Sequence, residues 1–266
     1  MTDDTWGSVP LVITTDERHG GRWASLRTRR REWLWRNPDR AVRAARAVVA
    51  PAGSFVDAGG VEECLPTIRG LPDHGDAWSR HWASGPASVT IPEVGRLVRT
   101  ITSGESAVEV RYVLSGIPGT PFLHAVHALL DVGPAARLVI AAVSSVLVLD
   151  PEPHRQPWPS GLDRLGPDDG TATCALVEGC RKATVVDGDD ALMFAWSAPG
   201  YDELCSLMLW RNLGGWPAGS PYRSIGIEPM VGRAADLSVA DLADCARIGP
   251  DGRHIWHLRL SALERS

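Results

Sequence analysis

Two histidines and one isolated glutamate are the residues of this 266-residue sequence that best suit proton transfer. His124 and His127 stand three apart in the motif HAVH, and Glu228 is the only charged residue in the apolar run 224–231. Burying an unpaired carboxylate is costly, so a glutamate kept in such a run is expected to be paired or used. A histidine titrates near neutrality and can give or take a proton beside a carboxylate. The pattern therefore predicts acid–base chemistry.

The spacing of the histidines also bears on metal binding. Residues three apart, as in HAVH and in HIWH at 254–257, share one side of a helix but point to opposite faces of a strand. Both segments have strand character, and a histidine on an apolar strand is often a satisfied core residue. The sequence has no P-loop, GxGxxG, GxSxG or HExxH motif. We predict neither a metal nor another cofactor, and either His124 or His127 can face a pocket.

Short stretches that alternate apolar and polar residues predict β-strands along the whole chain. They are LVITTDE at 11–17, AVEVRYVLSG at 107–116, ALMFAWSA at 191–198 and HIWHLRLSAL at 254–263. Between them, 27 glycines and 20 prolines interrupt the chain at short intervals, as the turns of an antiparallel sheet require. We predict an all-β fold.

Two helices and one long loop are expected besides the strands. Helical spacing of apolar residues predicts a helix over Asp39–Ala50, and a serine cap predicts another over Ser238–Ala246. Residues 154–170 form a long polar loop between strand-rich halves. With no repeat and no obvious linker, the chain is expected to be a single domain over 1–266.

Composition excludes several classes of partner. The net charge is −5 and the basic residues form no continuous face, so we expect no nucleic-acid partner. The longest apolar run, near 138–149, is too short to span a bilayer as a helix. The N-terminus lacks the features of a secretory signal, and five cysteines occur without a CxxC pair. A cytoplasmic protein without a membrane partner is expected.

Four segments occur in the order, and over nearly the whole length, that is typical of the aldose 1-epimerase (galactose mutarotase-like) family. They lie at 19–35, 59–82, 122–140 and 207–237. The last resembles the family most specifically, because Glu228 stands in a G-x-E-P context like that of the family's catalytic glutamate. The resemblance implies a large antiparallel β-sandwich, the supersandwich, and makes Glu228 the base that deprotonates the anomeric hydroxyl.

The second and third segments supply the other candidate site residues. His127 matches the catalytic histidine of a family strand, and the resemblance makes it the acid that protonates the ring oxygen of the sugar. His74 and the glycine after it are similar to a histidine-glycine pair that reaches the sugar. By the same resemblance Arg80 takes the place of a substrate-binding arginine, and Trp78 is a candidate stacking surface for the sugar ring.

The sequence departs from the larger mutarotases in two places. Apolar residues follow His127, where the family commonly has proline, threonine or an aromatic residue. The polar loop 154–170 contains aspartates, but none stands in the motif of the family's aspartate that binds sugar hydroxyls. The sequence therefore defines the substrate less closely than the reaction.

The expected function is an aldose 1-epimerase-like isomerase that interconverts the anomers of a small-molecule sugar. One alternative is a sugar-phosphate (hexose-6-phosphate) 1-epimerase, which needs arginines to hold a dianion. Arg69 and Arg80 on either side of His74 leave that alternative open. The other alternative is a non-catalytic carbohydrate-binding protein that keeps the pocket without turnover.

Overall fold

The computed structural model describes residues 5–141 and 143–265 of the chain. The one α-helix in this part, α1, spans Arg40–Arg46, and the main regular elements besides it are nineteen strands. Every ladder between these strands is antiparallel. The predicted all-β fold is confirmed. None of the described helices has the length and apolar composition that crossing a membrane requires.

The strands form two large sheets and one small pair. In chain order they are β1 (Trp6–Val9), β2 (Val12–Asp16), β3 (Arg22–Arg27), β4 (Val61–Cys64), β5 (Ala87–Ile91), β6 (Gly95–Ser103), β7 (Val108–Ser115), β8 (Pro121–Phe122), β9 (His124–Leu130), β10 (Arg137–Val139), β11 (Ser145–Val148), β12 (His154–Pro157), β13 (Ala172–Glu178), β14 (Lys182–Asp187), β15 (Asp190–Ser197), β16 (Cys205–Trp216), β17 (Tyr222–Val231), β18 (Ala246–Arg247) and β19 (Arg253–Arg265). The eight-stranded sheet has the order β10-β14-β15-β19-β7-β6-β5, with β1 paired to β19. The nine-stranded sheet has the order β12-β11-β13-β16-β17-β9-β4-β3-β2, and β8 pairs with β18.

Alternation along the strands decides which side chains enter the interior. In β7, Val108 and Tyr112 are buried. Glu109 and Arg111, between them, are exposed. β9 differs, because all seven of its residues are buried. It lies between β17 and β4 in the nine-stranded sheet. Val126 packs in one apolar cluster and Ala125 in another on the opposite side, so both faces of β9 are covered.

Apolar side chains collect on both sides of the nine-stranded sheet. The main core lies between the two sheets and joins residues such as Ile227 of β17 and Leu258 of β19. A smaller cluster includes Met208 and Met230, which alternate with core residues along β16 and β17. This second cluster therefore lies on the outer face of the nine-stranded sheet, where the candidate site is found.

The two predicted helices have different outcomes. The α1 helix forms within the predicted range, and the Asp39 side chain caps it by accepting a hydrogen bond from the Ala41 amide at 2.7 Å. The helix predicted over Ser238–Ala246 is wrong. The Asp236 side chain accepts hydrogen bonds from the amide and hydroxyl of Ser238, a local turn that competes with helix formation. Only a short 3₁₀ turn follows, at Leu242–Asp244.

Candidate active site

A cavity of about 260 Å³ opens on the outer face of the nine-stranded sheet. Strand residues and loop residues form its surface in roughly equal parts. The strands contribute His127, Cys174, Met208, Trp210, Trp216 and Glu228. The loops contribute Phe55, Asp57, Ile68, Arg69, Asp73 and His74. The cavity therefore combines a rigid floor with walls of mixed polarity, as small-molecule sites commonly do.

The floor of the cavity contains a histidine–glutamate pair. Ala128 of β9 pairs with Ile227 of β17 in the sheet, so the adjoining His127 and Glu228 both point to the outer face. His127 Nδ1 lies 2.9 Å from Glu228 Oε1. The two side chains are almost fully buried. Neighbouring central strands thus fix an acid–base pair at the base of the cavity.

Electrostatics in this pair favour a protonated histidine. Burial by itself lowers the pKa of His127, but the Glu228 carboxylate together with the charges of Asp57 and Glu62 outweighs burial and raises that pKa above its usual value. Glu228 Oε2 is buried and accepts no hydrogen bond from the described residues. The pair therefore has the proton that a general acid needs and a carboxylate oxygen that no protein group occupies.

Gly226 leaves the space that the carboxylate occupies. It lies two residues before Glu228 on the same face of β17. A Cβ at this position would come within 2.7 Å of Glu228 Oε1 and 2.9 Å of Trp210 Cβ. The glycine of the G-x-E-P motif thus has a steric role in placing the glutamate.

His74, a loop residue in the wall of the cavity, lies next to the His127–Glu228 pair. Its backbone has a left-handed φ of 63°, uncommon for a residue other than glycine. Its ring stacks on Phe55 with centroids 3.5 Å apart and meets the His127 ring edge-on at 4.9 Å. The structure therefore brings together three of the five predicted site residues, namely Glu228, His127 and His74.

Arg80 and Trp78 lie away from the cavity. Arg80 Nε donates a hydrogen bond to Asp76 Oδ2 at 2.5 Å, four residues earlier in the chain. Trp78 is fully buried and donates from Nε1 to the Gly75 carbonyl at 3.0 Å. The arginine that lines the cavity is instead Arg69. The geometry gives no support to the predicted sugar-binding roles of Arg80 and Trp78.

His124 belongs to the interior rather than to the cavity. Its Nδ1 accepts a hydrogen bond from Trp256 Nε1 at 3.0 Å, so its Nε2 carries the proton and donates to Glu63 Oε2 at 3.0 Å. Glu63 also accepts from Arg99 and Tyr112. HAVH therefore places one histidine on each face of β9, as the strand spacing predicts, and His127 is the one that faces the cavity.

Asp57 and Arg69 also line the cavity; the sequence analysis did not find Asp57, and it named Arg69 only for the sugar-phosphate alternative. Asp57 Oδ2 accepts from the Tyr222 hydroxyl at 2.6 Å, while its buried Oδ1 has no partner among the described residues. Arg69 forms a two-point ion pair with Asp150 at 2.9 and 3.1 Å. Both come from loops between regular elements. The residues around them in the sequence therefore show neither helical nor strand periodicity.

Comparison with known proteins gives a fold but no close relative. No family model matches the sequence, and no curated protein matches it. The Slr1438 protein from Synechocystis sp. PCC 6803 superposes with a TM-score of 0.70 at 14% identity, over 98% of this chain and 97% of that one. A galactose mutarotase related enzyme from Lactobacillus acidophilus gives 0.67 at 11% identity, over 98% and 97%. The chain has the galactose mutarotase-like fold.

A third solved structure extends the same comparison. It is a protein from Klebsiella pneumoniae, named provisionally as an aldose 1-epimerase, with a TM-score of 0.68 at 14% identity over 96% of this chain and 77% of that one. Several neighbours thus bear names of the family that the sequence motifs resemble. Identities this low establish a shared fold, and the chemistry has to be argued from the cavity.

Proposed function

We propose that this protein is a sugar 1-epimerase that interconverts the anomers of an uncharged aldose. The observation that carries the proposal is the contact of His127 with Glu228 at 2.9 Å on the floor of the cavity. Mutarotation needs a base at the anomeric hydroxyl and an acid at the ring oxygen. A glutamate and a histidine with a raised pKa supply these two groups.

The spacing of the pair suits the two oxygens that must exchange protons. The anomeric hydroxyl and the ring oxygen are bonded to the same carbon, so acid and base have to lie side by side. Glu228 takes the hydroxyl proton while His127 protonates the ring oxygen, and the ring opens to the aldehyde. Rotation about the bond to the aldehyde carbon and the reverse transfers close the other anomer. No room exists between the two side chains, so the ring lies across them.

The remaining cavity residues provide for binding of a neutral sugar. The unpartnered Oδ1 of Asp57 can accept a hydrogen bond from a sugar hydroxyl. His74 borders His127 and is held in place by its stacking on Phe55. Trp216 of β16 offers an aromatic surface at the rim, where sugar C–H groups can pack.

The charges lining the cavity favour an uncharged sugar over a sugar phosphate. Arg69 is the one arginine among the described lining residues, and Asp150 already holds its guanidinium at two points. Asp57 and Asp73 add negative charge to the same walls. A dianion needs a free, bidentate arginine. The sugar-phosphate alternative therefore lacks the group it needs.

The proposal is tested by following anomer equilibration of freshly dissolved aldoses and hexose phosphates by NMR or polarimetry. We expect the parent to accelerate equilibration of at least one neutral aldose. Glu228→Gln and His127→Asn should each reduce that rate roughly 10²- to 10⁴-fold, since each removes one proton-transfer group. The exposed residues Glu105 and His81 provide matched controls, and Glu105→Gln and His81→Asn should retain parental rates.

Two results would contradict this function. An acceleration that persists in Glu228→Gln would show that the glutamate is not the base. Sugar binding by the parent without any acceleration would instead favour the non-catalytic carbohydrate-binding alternative. Binding is measured separately by calorimetry, so the two readings are distinguishable.

A further inference from the structure

Three potential metal ligands meet at the inner end of the cavity. Donor atoms of Cys64, His74 and His127 all lie within 4.8 Å of one another. Cys64 ends β4, and the sheet register pairs it with Ala125 of β9, two residues before His127. The thiol is fully buried on the same outer face as the His127 ring. Two strands and one loop thus converge on a single point.

These donor atoms are not taken up by other protein groups. Cys64 makes no hydrogen bond within the described residues, unlike Cys174, which contacts Met208 at 3.5 Å. His74 Nδ1 and His127 Nδ1 each face a carboxylate, Asp73 Oδ1 at 3.1 Å and Glu228 Oε1 at 2.9 Å. The Nε2 atoms of the two rings make no hydrogen bond within the described residues and are the nitrogens left to bind an ion. Such carboxylates orient imidazoles at metal sites.

We propose that Cys64, His74 and His127 form a binding site for a thiophilic divalent cation such as Zn²⁺. One thiolate and two imidazoles are a common zinc ligand set, and three protein ligands leave a fourth position open toward the cavity. Zinc bonds of about 2.0 to 2.3 Å require the donor atoms to move somewhat closer together. Small shifts of all three side chains provide that movement.

Charge around the site favours a cation. The carboxylates of Glu228 and Asp73 lie 2.9 and 3.1 Å from the two histidine rings. A bound divalent ion would offset this negative charge and stabilise the thiolate directly.

The site overlaps the acid–base pair, which gives zinc a functional consequence. An ion held by His127 occupies the side chain that protonates the ring oxygen, and its open position lies where the sugar binds. Zn²⁺ should therefore inhibit anomer equilibration. This part of the inference rests on the proposed function, whereas binding of the ion does not.

The test uses the full chain after removal of any affinity tag and treatment with a chelator. Co²⁺ is the spectroscopic probe, because coordination by a thiolate gives a sulfur-to-cobalt charge-transfer band, and Zn²⁺ affinity is measured by calorimetry. We expect one ion per chain and the band in the parent. Cys64→Ser should abolish the band, and His74→Asn should weaken Zn²⁺ binding at least about tenfold. Cys180→Ser, at a buried cysteine away from the cavity, is the control.

Absence of the band in the parent, or unchanged Zn²⁺ affinity in both Cys64→Ser and His74→Asn, would overturn the proposal. Circular dichroism of each variant establishes that it is folded, and the two variants alter different elements. A band in a parent that accelerates no sugar would preserve the metal site while rejecting the epimerase. If the parent is active, its inhibition by Zn²⁺ should be lost in Cys64→Ser.

Discussion

Gly226 has no side chain, and the Glu228 carboxylate occupies part of the space that a side chain would need. We expect Gly226→Ala to lower kcat for anomer equilibration roughly 100-fold, because a displacement of about 1 Å at a reacting group can cost that much. KM should change little, since the sugar-binding walls stay in place. Progress curves at several sugar concentrations separate the two constants. Gly7→Ala is the control, because a Cβ there meets nothing closer than 3.9 Å.

A kcat for Gly226→Ala within a factor of three of the parent would show that the carboxylate tolerates the added methyl group. A rise in KM together with the fall in kcat would point to a wider change of the cavity. The thermal midpoint of the variant, compared with that of Gly7→Ala, identifies any loss of the fold. The steric role of the glycine is therefore tested apart from stability.

Local chemistry decides which candidate residues the sequence can place at the cavity. A lone carboxylate in an apolar run is expected to be paired or used, and Glu228 lies on the cavity floor. Arg80 lies elsewhere, because it bonds to an aspartate four residues earlier in the chain. Asp57 and Arg69 lie on loops, and their approach to the cavity depends on contacts far apart in sequence, such as that of Asp57 with Tyr222.

His254, near the start of β19, makes the corner of the two sheets sensitive to acid. Its ring contacts Phe122 edge-on at 5.0 Å and Tyr201 at 4.9 Å. Its Nδ1 donates to the Arg247 carbonyl at 3.1 Å. Burial lowers the pKa of His254 to about 4. The folded protein therefore keeps this ring neutral under conditions in which the unfolded chain protonates it.

The consequence for stability has a definite sign. Between pH 6.5 and 4 the unfolded chain binds the extra proton, so the free energy of unfolding falls as the pH falls through this range. His254→Gln lacks this group. We expect the stability advantage of the parent over His254→Gln to shrink by about 2 kcal/mol between pH 7 and pH 4.5. Urea titrations at both values measure the difference.

His257→Gln is the control for loss of a histidine side chain from this strand, because His257 lies on the opposite face of β19 and is only partly buried. A difference between parent and His254→Gln that stays constant from pH 7 to pH 4.5 would contradict the lowered pKa. The groups that line the candidate active site are not involved in this comparison.

The sequence predicts the strands more reliably than the helices, for a physical reason. One-sided strands such as β7 display alternation that the sequence carries by itself. β9, buried on both faces, shows instead a nearly continuous apolar run without alternation, and the spacing of its two histidines gives their opposite faces only once the segment is known to be a strand. The helix predicted over Ser238–Ala246 does not form, because the Asp236 side chain bonds to Ser238 in a local turn. Such a turn leaves no periodic pattern in the sequence.

At the scale of the whole molecule, a buried polar network connects the two sheets through the core. Arg99 of β6 in one sheet donates to Glu63 of β4 in the other at 2.7 Å. Tyr112 and His124 complete the shell of that carboxylate. Burial by itself raises the pKa of Glu63, but His124 and Arg99 outweigh burial and lower it. The network holds a charged carboxylate between the sheets.

Removing the arginine leaves that charge unpaired in the interior. We expect Arg99→Met to lower the free energy of unfolding by about 3 to 5 kcal/mol, measured by urea denaturation. Arg259→Met is the control, because Arg259 pairs with Glu109 at the surface, where both side chains are about half exposed. It should cost no more than about 1 kcal/mol. Similar losses in the two variants would show that the network does not join the sheets energetically.

The two histidines of β9 lie on opposite faces of the sheet. His124 is hydrogen-bonded in the interior, and His127 faces the cavity. A gene copy that loses His127 gives up one cavity residue, while every hydrogen bond of His124 stays in place. The cost of that loss, a buried Glu228 carboxylate without its histidine, is confined to the cavity. In this architecture the proposed turnover is therefore easier to lose than the shape of the molecule.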